Sequence, residues 1–214
     1  TEKGSINIML DKMERQQELE YENEARFNHL HAIGKHIEDT LREKIGSDLI
    51  QVDNPMRTEG NTIVEDVQNG QDIVVRIKNG EEWVDIFYVE VKSKWDFSEP
   101  AHMSTRQVRM AALHPNEYAL CCVDLRKHKH EDLENLPTEI ILECTNVKMG
   151  IGEILNPMLK AILEADNRSD DEQIKISEYR SNMGASIFEK GDSLDVLLNT
   201  IETKIRQKLS SMSS

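Results

Sequence analysis

Three residues in two neighbouring β-patterned segments carry side chains that can do chemistry together. They are Asp72 in Gln71-Asp72-Ile73, and Glu90 and Lys92 in Val89-Glu90-Val91-Lys92. Side chains two apart on a strand share a face, so Glu90 and Lys92 point the same way. A carboxylate and an ammonium at the end of an apolar strand are costly to desolvate. They are tolerated when they pair, bind a metal ion or meet solvent in a cleft. The residue types alone leave two readings open, a structural ion pair or a reactive site that Asp72 completes.

The elements that must bring them together are legible. Gln71 to Lys78 alternates, with Ile73, Val75 and Ile77 on one side. Asn79-Gly80 is a hairpin signal, and Glu82 to Lys92 is apolar on both faces, as a covered central strand is. Register decides the rest. A two-residue Asn79-Gly80 loop pairs Asp72 with Phe87, across the sheet from Glu90. A three-residue loop, or one bulge, pairs Asp72 with Tyr88 and puts Asp72, Glu90 and Lys92 on one face. A reactive site therefore requires an irregularity between Asp72 and Glu90.

Around this hairpin the chain reads as an α/β domain with a mixed sheet. Ser5 to about Ile45 is helical: a connector or contact helix first, then a core-facing helix with Phe27, Leu30, Gly34, Ile37, Leu41 and Ile45 in step. Residues 47–70 read as loop with one short strand. Ser104 to His114 is a helix opened by the capping box Ser104-Thr105-Arg106-Gln107. Glu117 to Leu125 is a buried strand and Thr138 to Thr145 a third candidate strand. Asn156-Pro157 opens a helix through Leu163, residues 165–172 form a polar loop, Ile174 to Tyr179 suit a strand, and Asp192 or Ser193 caps a last helix. The expected organisation is a helical connector over 1–21, a core domain over 22–148 and an α+β extension over 149–214.

Charge limits the function. Lys and Arg number 26 against 40 Asp and Glu, a net charge of −14, which excludes a non-specific nucleic-acid coat. Contact with phosphates needs local cations, for which Lys94, Arg106, Arg109, Arg126, Lys127 and Lys129 are the candidates. Their alternative reading is a solvated surface. Cys121, Cys122 and Cys144 are odd in number, and buried thiols in a reducing compartment account for them. No apolar run suits a membrane span and no leader pattern is present, so the expectation is a cytoplasmic protein without membrane contact. His128, His130 and Glu131 lack a Cys or His pair at metal spacing, which leaves zinc unsupported.

Asp72, seventeen residues, then Glu90-Val91-Lys92, behind a helix with Gly34 and Glu38, resembles the PD-(D/E)XK nuclease superfamily. The stretch from GQDIVV through YVEVKSK to STRQVRMAALHPNEYALCCVDL is also similar to a nuclease-like domain near the C-terminus of large proteins. That domain accompanies NO VEIN and sacsin-type or other ATPase modules. The family often has Pro before the first acid, where this chain has Gln71.

The resemblance implies a restriction-endonuclease-like core of helix, three strands, helix, strand. It implies that Asp72, Glu90 and the Val91 carbonyl hold Mg²⁺ or Mn²⁺, and that Lys92 orients or helps deprotonate the attacking water. It gives Glu38 a ligand or water contact and Gln107 a place beside the metal. The implied reaction is phosphodiester hydrolysis, on DNA before RNA, within a defence or nucleic-acid-processing system. The rival expectation is a non-catalytic scaffold for protein contacts, as a homodimer or beside an upstream ATPase module. Glu38 as a solvated residue and Gln107 as a pure cap are the corresponding bland readings.

Overall fold

The computed structural model describes residues 2–49, 62–65, 72–95, 101–128, 133, 135–167 and 181–212, with side chains undescribed for 2–23, 62–65 and 165–167. Helix α1 (Glu2–Leu49) is one continuous rod of 48 residues, so connector and core helix are a single element. Its second half buries Ile33, Ile37, Leu41, Ile45 and Leu49 at four-residue steps. Strands β1 (Thr62–Glu65), β2 (Ile73–Asn79) and β3 (Glu82–Lys94) follow. Next come β4 (Ala101–Met103), α2 (Thr105–Leu113) and β5 (Tyr118–Asp124). The chain continues through α3 (Thr138–Glu143), β6 (Thr145–Met149), α4 (Ile151–Asn167), β7 (Ser181–Met183), a 3-10 turn (Ala185–Phe188) and α5 (Leu194–Met212). Among the described residues, no helix is long and apolar enough to cross a membrane.

The main sheet has the order β1-β2-β3-β5-β6 and is mixed, since β3 and β5 are parallel and the other neighbours antiparallel. A small second sheet pairs β4 with β7. Both faces of the main sheet are covered. On one, Ile73, Val75, Phe87, Val89, Val91, Cys121 and Val123 pack with α1, α3 and α5. On the other, Val74, Tyr88, Tyr118, Leu120 and Cys122 pack with α2 and α4. Cys121 and Cys122 are thus buried thiols on opposite faces, and burial foremost pushes both up, Cys122 to about 12, which leaves them inert.

The hairpin is irregular, and the irregularity is specific. Asn79 pairs with Glu82, so the turn is Gly80-Glu81 rather than Asn79-Gly80. Gly80 has φ 65°, the left-handed conformation that tight hairpins need at the first turn position. Between the pairs Arg76↔Asp85 and Val75↔Phe87, Ile86 is an extra residue on β3. Ile86 and its neighbour Phe87 both pack into the α1-side core. Beyond the bulge the ladder runs Val75↔Phe87, Val74↔Tyr88, Ile73↔Val89. Asp72, one residue further, therefore falls opposite Glu90, not Tyr88. Without the bulge it would fall opposite Val89, on the other face.

Two expectations are corrected. Thr138 to Glu143 is helix, not strand, and the strand is the following Thr145–Met149. Pro137 precedes the helix, and its carbonyl accepts from the Ile140 and Ile141 amides at 3.0 and 3.2 Å. Only Ile141 of the apolar run is fully buried, as on one helix face. Helix α4 begins at Ile151, directly after Gly150 (φ 67°), with Pro157 inside it rather than opening it. Pro157 and Glu153 are both exposed, so the proline sits on the solvent side of α4. Gly152 lets α4 approach α2, because a Cβ there would meet the Ala111 carbonyl oxygen at 2.0 Å. The expected strand over 174–179 lies outside the described residues.

Candidate functional site

The bulge, the alternation of β3 and the start of α2 bring four side chains together on the α2 face of the sheet. Asp72 lies just before β2, and its Oδ2 accepts from the Val91 amide at 2.7 Å. This bond ties the strand entrance to the far end of β3. Glu90 is completely buried. Its Oε1 accepts from the Lys92 ammonium and from the Gln107 side-chain amide.

Gln107 serves two purposes at once. Its backbone amide donates to Ser104 Oγ at 3.3 Å, and its Oε1 accepts from the Ser104 amide at 2.8 Å, which closes the capping box. The remaining Nε2 is thereby aimed at Glu90. The cap and the site contact use different atoms of one amide, so the structural and functional readings do not compete.

The electrostatics follow from burial. Desolvation pushes the Glu90 carboxyl well above the ordinary value of 4.5, Lys92 opposes the rise, and Asp72 adds to it. Burial pulls the Lys92 ammonium down, but Glu90, Asp72 and Glu38 outweigh it and hold its pKa above the ordinary value. Lys92 is therefore a resident cation. Glu38, on α1, acts on Lys92 and so borders the cluster from the opposite layer.

Two buried polar atoms here have no hydrogen-bond partner, Glu90 Oε2 and the Tyr118 hydroxyl. Tyr118 is completely buried at the start of β5, level with Tyr88. Both carboxylates act on its phenol, which burial chiefly pushes up. Sequence reasoning missed Tyr118 because it counted as core. The signal was the alternation Tyr118, Leu120, Cys122, which places it on the Glu90 face once β5 runs parallel to β3.

The candidate phosphate-binding cations do not gather at this cluster. Lys94 is buried at 6% exposure on the same strand, whereas Arg106 and Arg109 are exposed on α2. Arg126 is held by Asp124, with Nε to Oδ1 at 2.8 Å and Nη2 to Oδ2 at 2.7 Å, and by Glu189 at 3.2 Å. Arg126 and the exposed Lys127 line a separate cavity of about 530 Å³ with His128 and Cys144. Lys129, His130 and Glu131 lie outside the described residues. In that cavity Cys144 Sγ is 3.5 Å from His128 Nε2. Burial, Asp124 and Glu143 push the thiol up against the opposing pull of Lys127, and Cys144 caps the C-terminal end of α3, so the thiol form is favoured.

Among the described residues, no group of three or more His, Cys, Asp and Glu side chains could hold a metal ion. The Asp72 cluster offers two carboxylates. That donor set suits a hard cation that keeps several waters, and does not suit zinc.

Residues 42–134 match the family model for the C-terminal region of protein NO VEIN. The matched stretch contains Asp72, Glu90, Lys92, Gln107 and Tyr118, and excludes Glu38 and everything from α3 onward. No curated protein and no solved structure matches the chain.

Proposed function

We propose that this NO VEIN C-terminal-like region is a metal-dependent nuclease-like domain that hydrolyses phosphodiester bonds, with DNA as the favoured substrate. The observation that carries this reading is the β-bulge at Ile86, which sets Asp72 on the face of Glu90 and Lys92. An orphaned carboxylate oxygen on Glu90 fits a cation partner. Within the main sheet the order is helix, three strands, helix, strand through β5, with the short β4 of the second sheet inserted before α2, and this order supports the nuclease resemblance.

In this reading Asp72, Glu90 and the Val91 backbone hold Mg²⁺ or Mn²⁺. The bound ion would supply a water of lowered pKa and offset charge developing on the phosphate. Lys92 stays protonated beside two acids, so its part is to orient and stabilise negative charge rather than to accept a proton. Gln107 orients Glu90 through Nε2. Arg106 and Arg109 are the exposed cations on α2 that would meet the nucleic-acid backbone.

A second reading has its own observation. Glu90 is fully buried and already paired with Lys92, on a chain of net charge −14. That arrangement suits a scaffold that keeps the cluster as a structural ion pair and acts through protein contacts, with a second copy or an ATPase module. One assay separates the two: cleavage of single- and double-stranded DNA and RNA with Mg²⁺ or Mn²⁺, by wild type and by Asp72→Ala, Glu90→Ala and Lys92→Ala. The nuclease reading expects ion-dependent cleavage that each substitution abolishes. Wild type inert on every substrate would favour the scaffold.

A further inference from the structure

We infer that Tyr118 is a positioning residue for the Glu90 carboxylate in the cation-bound protein, an inference that rests on the cation-binding reading above. The hydroxyl and Glu90 Oε2 are both buried, neither makes a well-formed hydrogen bond, and the two side chains lie close enough for a weak contact. A buried hydroxyl without a bond is a cost that phenylalanine would avoid while filling the same core volume. Tyr118 sits at the edge of the α2-side core beneath Glu90, on the strand next to it. In the free protein the hydroxyl makes no well-formed bond, because Lys92 and Gln107 both hold Oε1 and so fix the carboxylate from one side.

With Glu90 engaged by a cation, the hold of Lys92 on Oε1 loosens. The Tyr118 hydroxyl is then the donor in place to hold Oε2. A tyrosine hydroxyl is a hydrogen-bond donor at neutral pH. Partners of this kind, which orient a ligand rather than touch the ion, typically change metal affinity by about 10–100-fold.

The test is Tyr118→Phe, with Mn²⁺ binding by calorimetry and thermal unfolding without the ion. The expected result is Mn²⁺ affinity weakened more than fivefold while the ion-free Tm stays level or rises, because the lost hydroxyl made no bond. Affinity within fivefold of wild type overturns the inference, whatever the Tm. A fall in ion-free Tm of several degrees overturns it too, since it reveals a hydroxyl already bonded in the free protein.

Wild type that binds no Mn²⁺ overturns the cation reading itself, and this inference with it. Should the variant not fold, wild type carrying ¹³Cζ-tyrosine gives the answer. The Tyr118 resonance, assigned by replacing the other three of the four tyrosines, shifts on saturation with Mg²⁺ if the hydroxyl engages. An unmoved resonance overturns the proposal.

Discussion

Glu90→Gln should remove a pH dependence of stability that the wild type carries. Glu90 is fully buried and its folded-state pKa lies well above the ordinary 4.5. A raised carboxyl pKa means that the fold favours the neutral acid. Its stabilising contribution is complete below the unfolded value and is lost as pH rises toward the folded one. In that window one proton changes stability by at most about 1.4 kcal/mol per pH unit. For a chain of this size that is roughly 3–6 °C in Tm per pH unit.

Glutamine keeps the shape and cannot titrate. Its altered hydrogen bonding adds a pH-independent offset, so the slope is the diagnostic. The assay is thermal unfolding of both proteins from pH 5 to 8, without divalent ions. The difference Tm(Glu90→Gln) minus Tm(wild type) should grow as pH rises above the ordinary glutamate range. Parallel curves across the whole range would refute the reasoning, because they would mean that Glu90 is ionised as readily in the fold as in the unfolded chain.

Gly152→Ala should destabilise by about 1–3 kcal/mol, read as a lower urea midpoint, because the new Cβ meets backbone atoms at 2.0 and 2.8 Å rather than a yielding side chain. An unchanged midpoint would contradict the close packing of α4 on α2. Arg126→Gln should destabilise by about 1–3 kcal/mol at pH 7, since it leaves the Asp124 carboxylate, only 20% exposed, without its bidentate partner. Arg126 holds the Asp124 carboxyl below its ordinary 3.8, so the cost should fade as pH drops through that region. A cost that is undiminished at pH 3 would show that packing of the guanidinium, not its charge, is what matters.

The parts of this fold that were legible in the sequence are those where one period dominates. The alternation of Ile73, Val75 and Ile77, the doubly apolar β3 and the Ser104–Gln107 cap each specify their element locally. The site was legible only as a condition. Parity showed that Asp72 and Glu90 need an irregularity between them, but the extra residue, Ile86, looks like any other strand residue. The turn was misplaced by one residue because Asn79-Gly80 outweighs Gly80-Glu81 as a signal, although only Gly80 needs the unusual backbone.

Thr138–Glu143 was misread for a different reason. A run of three apolar residues, Ile140 to Leu142, suits either period, and tertiary packing of Ile141 decided for helix. The start of α4 was misread because Pro157 resembles a first-turn proline, whereas solvent exposure lets it stay inside the helix. Tyr118 was hidden because its role depends on which strand lies beside β3, and no local pattern encodes that.

The most direct test of the central claim, that Asp72 and Glu90 together grip one hard cation, is the anomalous difference map of crystals soaked in Mn²⁺. The account predicts a peak within about 2.0–2.6 Å of carboxylate oxygens from both Asp72 and Glu90, with Lys92 displaced from Glu90 Oε1. A map with no peak there, in crystals where Glu90 and Lys92 keep their ion pair at saturating Mn²⁺, would contradict it.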